Sequence, residues 1–381
     1  MAKTTWQIKQ HKYPQLKQNL SANVVIVGGG MAGVFCAYEL AQRGFKSVLL
    51  EAKTLGNDAT MQTTAFITHD IDTDLDDLIS MFGRQKAKMV WESGRAAINK
   101  IANIIKTENI DCEFINCPLY VLANKPEDYK NLQTQKEAAN KLGFKTKLIN
   151  KLQSFPNAGA LEIPGQAKFH PLKFLNGLAQ NATQQGAKIF ENSEVIKIIY
   201  GKSLKIKTKK YTLTAKKIIL ATYDPIGNPI ETKFKKGMYN SYVYELKIPK
   251  NCLPEATYLD TQNPYNYFRV DRMGSFDRMV IGGQDNRSEL RVSKQKHFRA
   301  LRDVAKKILG KNKFKTGKKW VGPILEPSDG LPLIGQYKDN CYLACAFSGN
   351  GMTYSAISAM LISDLVQNKK NAWEKLYNPK R

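Results

Sequence analysis

The chain has 381 residues, 43% of them hydrophobic, with 58 Lys and Arg against 33 Asp and Glu and a formal net charge of +25. This much apolar material excludes a disordered chain, and the length favours two domains. No stretch reaches the ~18 uncharged residues of a membrane span, and the N-terminal MAKTTWQIKQHKYPQLKQNL lacks the apolar core of a signal peptide. A cytoplasmic protein with no membrane span is expected.

The lysines are scattered along the chain, with short clusters at Lys205–Lys210 and Lys306–Lys319 and no interleaved aromatic stripe. A solvated basic surface is therefore expected, and a nucleic-acid partner is not. The cysteines at 36, 112, 117, 252, 341 and 345 form no CxxC, and the four histidines are far apart, so no metal site is expected. The thiols read as reduced and mostly buried.

In chain order, the first element is an apolar strand, Val24–Val27, followed by the turn Gly28-Gly29-Gly30-Met31-Ala32-Gly33. A helix follows with small or apolar residues at Ala32, Cys36, Ala37 and Leu40, stopped by Gly44, and then the strand SVLLE ends at Glu51. Strand, glycine turn, helix and strand make the first βαβ unit of a dinucleotide-binding fold. Gly28 makes the tight turn, Gly30 lets backbone approach a pyrophosphate, and Gly33 lets the helix pack on the sheet. The helix N-terminus offers its N–H groups to phosphate. Glu51, 18 residues after Gly33, is placed to accept from ribose hydroxyls.

Next comes the polar loop AKTLGNDATMQTTAFITHD, long enough to imply function. Helical periodicity occupies Asp74–Lys106, a strand covers CPLYVLA, and a helix runs over Pro126–Gly143. A helix starts at Pro171 and ends near Gly186. Strands follow at Val195 and over Lys216–Thr222. Residues 226–320 read as β-rich (SYVYELKI, YNYFRV, RMVIGG), with a basic helix at Lys294–Leu309. The tail returns to α/β: the strand CYLACAF, the turn SGNG, and a helix over Tyr354–Val366.

Only one phosphate-binding glycine motif occurs, and the tail supplies a second glycine turn at a helix start, Phe347–Ser355. A cofactor long enough to span both is FAD rather than NAD. The expected fold is α/β, a Rossmann-type FAD-binding domain interleaved with a β-rich α+β substrate domain. Residues 1–85, 150–225 and 322–381 are assigned to the first and 86–149 and 226–321 to the second.

Val24–Glu51, Thr63–Thr68, RVD…MVIGGQD at Arg269–Asp285, and the terminal DGLPLIG…FSGNGMTYSAISAMLISDLV together resemble the FAD-dependent oxidoreductases of the D-amino acid oxidase, glycine oxidase and sarcosine oxidase superfamily. The likeness spans essentially the whole chain and is nearest to the subgroup that often carries a C-terminal Rieske domain. The sequence stops at Arg381, where that subgroup would continue, so no iron–sulfur electron exit is expected. Where sarcosine oxidase relatives tether the flavin through a cysteine, Gly322 stands here, which implies non-covalent FAD.

The resemblance implies cofactor contacts at Gly28, Gly30, Met31, Ala32, Gly33, Glu51, Ala52, Thr63, Thr64, Ala65, Val195, Ala221, Thr222, Gly330, Pro332, Gly349, Asn350, Gly351, Met352 and Thr353. It also implies a carboxylate clamp from an arginine and tyrosines on the second domain's sheet. Arg269, Tyr267 and Tyr242 are the candidates, with a structural ion pair the equal alternative for Arg269. His69 follows the flavin loop and reads either as an active-site group or as a loop hydrogen-bonder. His170, before a helix-starting proline, reads as structural.

The implied activity is oxidation of a C–N bond in an amino acid or secondary amine by hydride transfer to flavin N5, the imine then being hydrolysed. The electron acceptor is left open among oxygen, a quinone and a protein. The alternatives are a flavoenzyme acting on a modified tRNA base and a non-catalytic flavin-binding subunit.

Overall fold

The structure, a computed structural model, describes residues 4–223, 235–290 and 292–381. The start of the β-rich stretch, 226–234, lies outside the described residues. Two sheets carry the architecture. The first has the strand order Leu333–Lys338, Cys341–Cys345, Thr212–Leu220, Leu20–Val27, Ser47–Leu50 and Lys188–Phe190. Leu20–Val27 is parallel to Thr212–Leu220 on one side and Ser47–Leu50 on the other, and Cys341–Cys345 is parallel to Thr212–Leu220. Val195–Ile199 and Leu204–Thr208 extend this sheet as antiparallel neighbours.

The helix Met31–Gln42 is buried from Met31 to Ala41, which its small and apolar residues permit. It packs on the helices Pro171–Gln184 and Gly351–Val366. Its close approach to the sheet depends on Gly33, where a Cβ would stand 1.9 Å from the carbonyl oxygen of Gly28.

The second sheet runs Lys315–Pro327, Lys235–Ile248, Asp277–Arg287, Asn266–Arg272, Thr257–Asp260, Ile115–Ala123, Gly159–Lys168 and Phe66–Ile67. One face looks toward the first sheet. The other is covered by the amphipathic helix Lys294–Leu309, whose Leu301, Ala305 and Leu309 join a core with Tyr258, Phe268 and Leu246.

The sheets redraw the domain limits read from sequence. Gly159–Lys168 and Phe66–Ile67 pair in the second sheet, although both fall in segments assigned to the first domain, and Lys315–Pro327 runs straight through position 322. These pairings join residues dozens of positions apart, and about a hundred apart for Phe66–Ile67 with Gly159–Lys168, which no local pattern encodes. The periodicity over Asp74–Lys106 is two helices, Leu75–Phe82 and Arg84–Thr107, because Gly83 adopts a φ of 81° between them. The last long helix begins at Gly351, one turn before Tyr354.

The N-terminal segment is an extended strap. Trp6 is wholly buried, with the guanidinium groups of Arg269 and Arg278 5.1 and 4.9 Å from its ring centroid and the His170 ring packed against it in a T-shaped contact. Further along, Glu191 and Ser193 accept the backbone N–H groups of Tyr13 and Leu16.

Candidate active site

Parallel strands deliver their C-terminal ends to one crevice, where a doubly wound sheet binds its ligand. Val27 leads into Gly28, Leu50 into Glu51, Leu220 into Ala221, and Cys345 into Ala346. All four following residues line a single cavity of about 370 Å³ that continues between the two sheets. Gly28 has a φ of 109°, and a Cβ there would lie 2.6 Å from the Ala221 carbonyl oxygen, so only glycine makes this turn. At Gly30 nothing of the protein is closer than 3.4 Å to a Cβ, and the open space on that side belongs to the cavity. Gly30 caps the helix without a side-chain bond, which leaves helix N–H groups turned to the crevice, Met31 excepted: its N–H is taken by Thr60 Oγ1 at 3.0 Å. Glu51 accepts from the N–H groups of Gly29 and Lys53, each at 2.7 Å, and burial raises its pKa.

The loop through Thr63–Ala65 is held from behind. Trp6 Nε1 donates to Thr63 O at 2.7 Å, and Arg269 Nη1 donates to Thr64 O and Ala65 O at 3.0 and 3.1 Å. Thr63 Oγ1 accepts from Ala65 N–H, and Ala65 takes a φ of 58°, a conformation that costs a non-glycine residue and is tolerated because the loop is pinned on both sides. Ala346 and Ser348 also take positive φ, at 58° and 49°, where the last strand turns into the helix Gly351–Val366. That helix starts at Asn350 with no side-chain cap, and Asn350 Nδ2 instead ties the loop by donating to Thr68 Oγ1 and Asp70 O.

Beyond this point the cavity is walled by the second sheet. Ser241 and Val243 face it, with Leu119, Leu259, Tyr267 and Ile324. Tyr265 donates to Asp72 Oδ1 at 3.1 Å, and Asp72 Oδ2 accepts from Gly349 N–H at 2.8 Å. Tyr267 and Ser241 join hydroxyls at 2.7 Å, and Asp285 stands behind Ser241, hydrogen-bonded to it. Burial, with Asp72 and Glu326 near, pushes Asp285 up to about 7, against the hydrogen bond from Ser241.

Of the expected cofactor residues, Gly28, Gly30, Met31, Ala32, Glu51, Ala52, Thr63, Thr64, Ala221, Thr222, Gly349, Asn350, Gly351 and Met352 line the cavity. The others do not. Gly33 packs helix on turn, and Ala65 is buried behind its loop. Val195 sits in the core on the far face of the first sheet. Thr353 bridges to the backbone of Thr68, donating at 2.8 Å. Gly330 and Pro332 lie in a turn clamped by Arg381, which binds Asp329 and the carbonyls of Leu331 and Pro332.

Among the substrate candidates only Tyr267 lines the cavity. Arg269 is 1% exposed and its donors are taken: Nε and Nη2 bind Asp271, and Nη1 serves Thr64, Ala65 and Phe169 carbonyls. Asp271 also receives Lys168 and Arg278, and these cations hold its carboxyl well below the usual range. The structural reading of Arg269 therefore prevails over a carboxylate clamp. Tyr242 points away from the cavity, as strand alternation requires when Ser241 and Val243 face it. It stacks on His297 at 4.2 Å and donates to Asn286.

His69 is likewise outside the lining. Its ring packs against Trp91 and Phe144, and its Nδ1 lies 2.8 Å from Gln166 Nε2. Gln166 can only donate there, so Nδ1 accepts. Burial and the charge of Arg95 lower its pKa to about 3, and it stays neutral. His170 caps the helix Pro171–Gln184 by accepting from Lys173 N–H, with a pKa lowered by burial to about 4.

Sequence reasoning missed Trp6, Asp72, Ser241 and Tyr265. Trp6 carried a faint signal, a lone large aromatic in a polar leader. The other three lie in segments far apart in the chain, Asp72 and Tyr265 in loops and Ser241 in a strand, and only the tertiary fold brings them together.

The family profile DAO, FAD dependent oxidoreductase, matches residues 23–365. The chain is 31% identical over 97% of its length to the putative Rieske 2Fe-2S iron-sulfur protein YhfW of Bacillus subtilis, covering 73% of that protein. It is 25% identical to the gamma-glutamylputrescine oxidoreductase of Escherichia coli, over 97% of this chain and 89% of that one. The crystal structure of glycine oxidase from Geobacillus kaustophilus superposes with a TM-score of 0.78 at 20% identity, covering 95% of this chain and 99% of that one. The L-proline dehydrogenase of P. horikoshii does so with a TM-score of 0.78 at 20% identity, over 95% and 98%. The glycine cradle, the pinned loop and the uncapped C-terminal helix meet in one cavity suited to a long dinucleotide, and this chain belongs to the DAO family of FAD-dependent oxidoreductases.

Proposed function

We propose that the protein oxidises a C–N bond of an amine or amino acid, passing a hydride to FAD and releasing an imine that water hydrolyses. The observation that carries this reading is the continuity of the cavity, from the dinucleotide turn at Gly28 to the aromatic wall at Tyr265 and Tyr267. Similarity to an oxidoreductase named for gamma-glutamylputrescine and to one named glycine oxidase supports a small nitrogenous substrate.

FAD, when bound, supplies the two-electron acceptor. Gly28–Ala32 and Glu51 would hold its AMP end, Thr63 and Thr64 its middle, and Gly349–Met352 the ring. The uncapped N-terminus of the helix Gly351–Val366 turns its N–H groups and positive dipole end to that part of the cavity, where they favour negative charge. Phe66, Leu119, Val243, Leu259 and Ile324 exclude water around the reacting carbon. Gly322 on the wall offers no thiol for a tether, which supports a non-covalent cofactor.

The test is anaerobic mixing of FAD-loaded protein with a panel of amines and amino acids. Bleaching of the visible flavin band by at least one of them is expected. Full FAD uptake without reduction by any of them would reject the catalytic reading and leave a flavin-binding subunit.

A further inference from the structure

The loop along the middle of the cavity is held at four consecutive carbonyls by donors from outside it. Trp320 Nε1 donates to Gln62 O at 2.8 Å, Trp6 Nε1 to Thr63 O at 2.7 Å, and Arg269 Nη1 to Thr64 O and Ala65 O at 3.0 and 3.1 Å. Trp320 and Arg269 stand on strands of the second sheet, Lys315–Pro327 and Asn266–Arg272, and are fixed by its ladders. Trp6 belongs to the N-terminal strap, and among the described residues no helix or strand begins before Leu20. Its hold on the loop therefore depends on how a segment without a ladder of its own is docked.

The strap also reaches the dinucleotide end. Glu191 accepts from Tyr13 N–H through Oε2 at 3.1 Å and from Leu55 N–H through Oε1 at 2.8 Å, and Gln10 Nε2 donates to Leu55 O at 3.3 Å. Leu55 leads into Gly56, which lines the cavity and donates its N–H to Gly29 O at 2.9 Å in the glycine turn. The strap thus touches the back of the cavity wall on both sides of the short helix Ala59–Gln62. Trp6, Tyr13 and Leu16 are its buried anchors, while Lys9 and Lys12 between them are exposed. Three anchors and a set of side-chain hydrogen bonds can release without breaking either sheet, as local opening of a segment with few buried contacts requires.

We propose that docking of the strap and binding of FAD are coupled. Trp6 is a positioning residue: it holds Thr63 and Thr64 in the shape the cofactor meets, and bound FAD in return holds the strap against the fold. Without the indole, Thr63 O loses its donor, and FAD binding has to restore the shape of the loop. The effect is reciprocal, because whatever factor the docked strap adds to FAD affinity, FAD adds to docking of the strap. The inference rests on FAD binding and not on the C–N oxidation reading, so its test uses no substrate.

The experiment treats the full chain with trypsin, with FAD absent or saturating, and follows cleavage after Lys9 and Lys12 by mass spectrometry. Cutting there requires the strap to leave its seat, and its rate follows the open fraction when opening is fast relative to cleavage. In FAD-free protein these sites are expected to be cut about tenfold or more faster than Lys217, inside the strand Thr212–Leu220, and FAD is expected to slow their cleavage about tenfold or more. Trp6→Phe keeps an aromatic ring beside Arg269 and Arg278 and removes the donor to Thr63 O, so it should weaken FAD about fivefold or more and lower the urea midpoint of loaded protein more than that of FAD-free protein. A tryptophan with a packing role alone would lower both midpoints equally and leave FAD affinity unchanged. Equal cleavage after Lys9 and Lys12 with and without FAD in the wild-type protein overturns the proposal, as does cleavage there no faster than at Lys217, which would mean that the strap opens only with the whole fold. FAD affinity of Trp6→Phe within about twofold of wild type overturns it as well. Protection of the strap by FAD in a protein whose flavin no amine reduces leaves the coupling standing and rejects C–N oxidation. Protein that takes up no FAD overturns both.

Discussion

Replacing Arg269 by lysine separates a structural arginine from a substrate clamp. Its guanidinium reaches Asp271 with two nitrogens, at 2.8 and 2.7 Å, and three carbonyl oxygens with the third, at 2.9 to 3.1 Å. A lysine ammonium lacks the planar fork and serves one side or the other. If it stays with Asp271, the carbonyls of Thr64, Ala65 and Phe169 lose their donor in a buried place, at about 1 kcal/mol or more each. The expected loss is about 3 kcal/mol of folding stability, a large share of a typical total. Asp271 keeps Lys168 and Arg278, so no buried charge is stranded.

The loop that Arg269 pins also lines the cofactor cavity, so FAD affinity should fall about tenfold, the equivalent of ~1.4 kcal/mol. Urea unfolding of FAD-free and FAD-loaded protein, with FAD affinity from quenching of flavin fluorescence, reads both effects. Stability within about 0.5 kcal/mol of wild type, with unchanged FAD affinity and altered substrate binding alone, would refute the structural role.

Gly33→Ala places a methyl group 1.9 Å from Gly28 O and should abolish FAD retention on gel filtration, whereas a variant that keeps its flavin would contradict the packing role. His69 and His170 are buried with pKa values lowered to about 3 and about 4 from 6.5, so the unfolded chain binds more protons than the fold between those values and 6.5. Their contribution is present above 6.5 and is lost as pH falls, at up to about 1.4 kcal/mol per pH unit for each. Urea midpoints that stay flat below 6.5 in a comparison with His69→Gln would refute this. Acid precipitation of the loaded protein should leave the flavin in the supernatant, given Gly322 on the cavity wall; yellow precipitate would show a covalent link.

The legible part of this molecule was local. The turn Gly28–Gly33, the strand ending at Glu51 and the turn before Gly351 carry their chemistry in consecutive residues, and most of the residues they contribute line the cavity. Limits that depend on strand pairing were not legible: Gly159–Lys168, with Pro164 and Gly165 inside it, carries no strand signal in the sequence, and its ladder with Ile115–Ala123 assigns it to the second sheet. The same holds for side-chain direction. Tyr242 and Tyr267 looked equivalent in sequence, but alternation turned one toward His297 and the other toward Ser241. Arg269 shows a different limit. Whether an arginine waits for a ligand or is already satisfied depends on partners at positions 64, 65, 169 and 271, of which only the last is near it in the chain.

The most direct measurement is a single anaerobic turnover of FAD-loaded protein with an amine that bleaches the flavin, followed by assay of the carbonyl compound left after hydrolysis. C–N oxidation predicts one carbonyl formed for each FAD reduced. Bleaching with no carbonyl product, or a flavin that stays oxidised with every amine and amino acid offered, would contradict it.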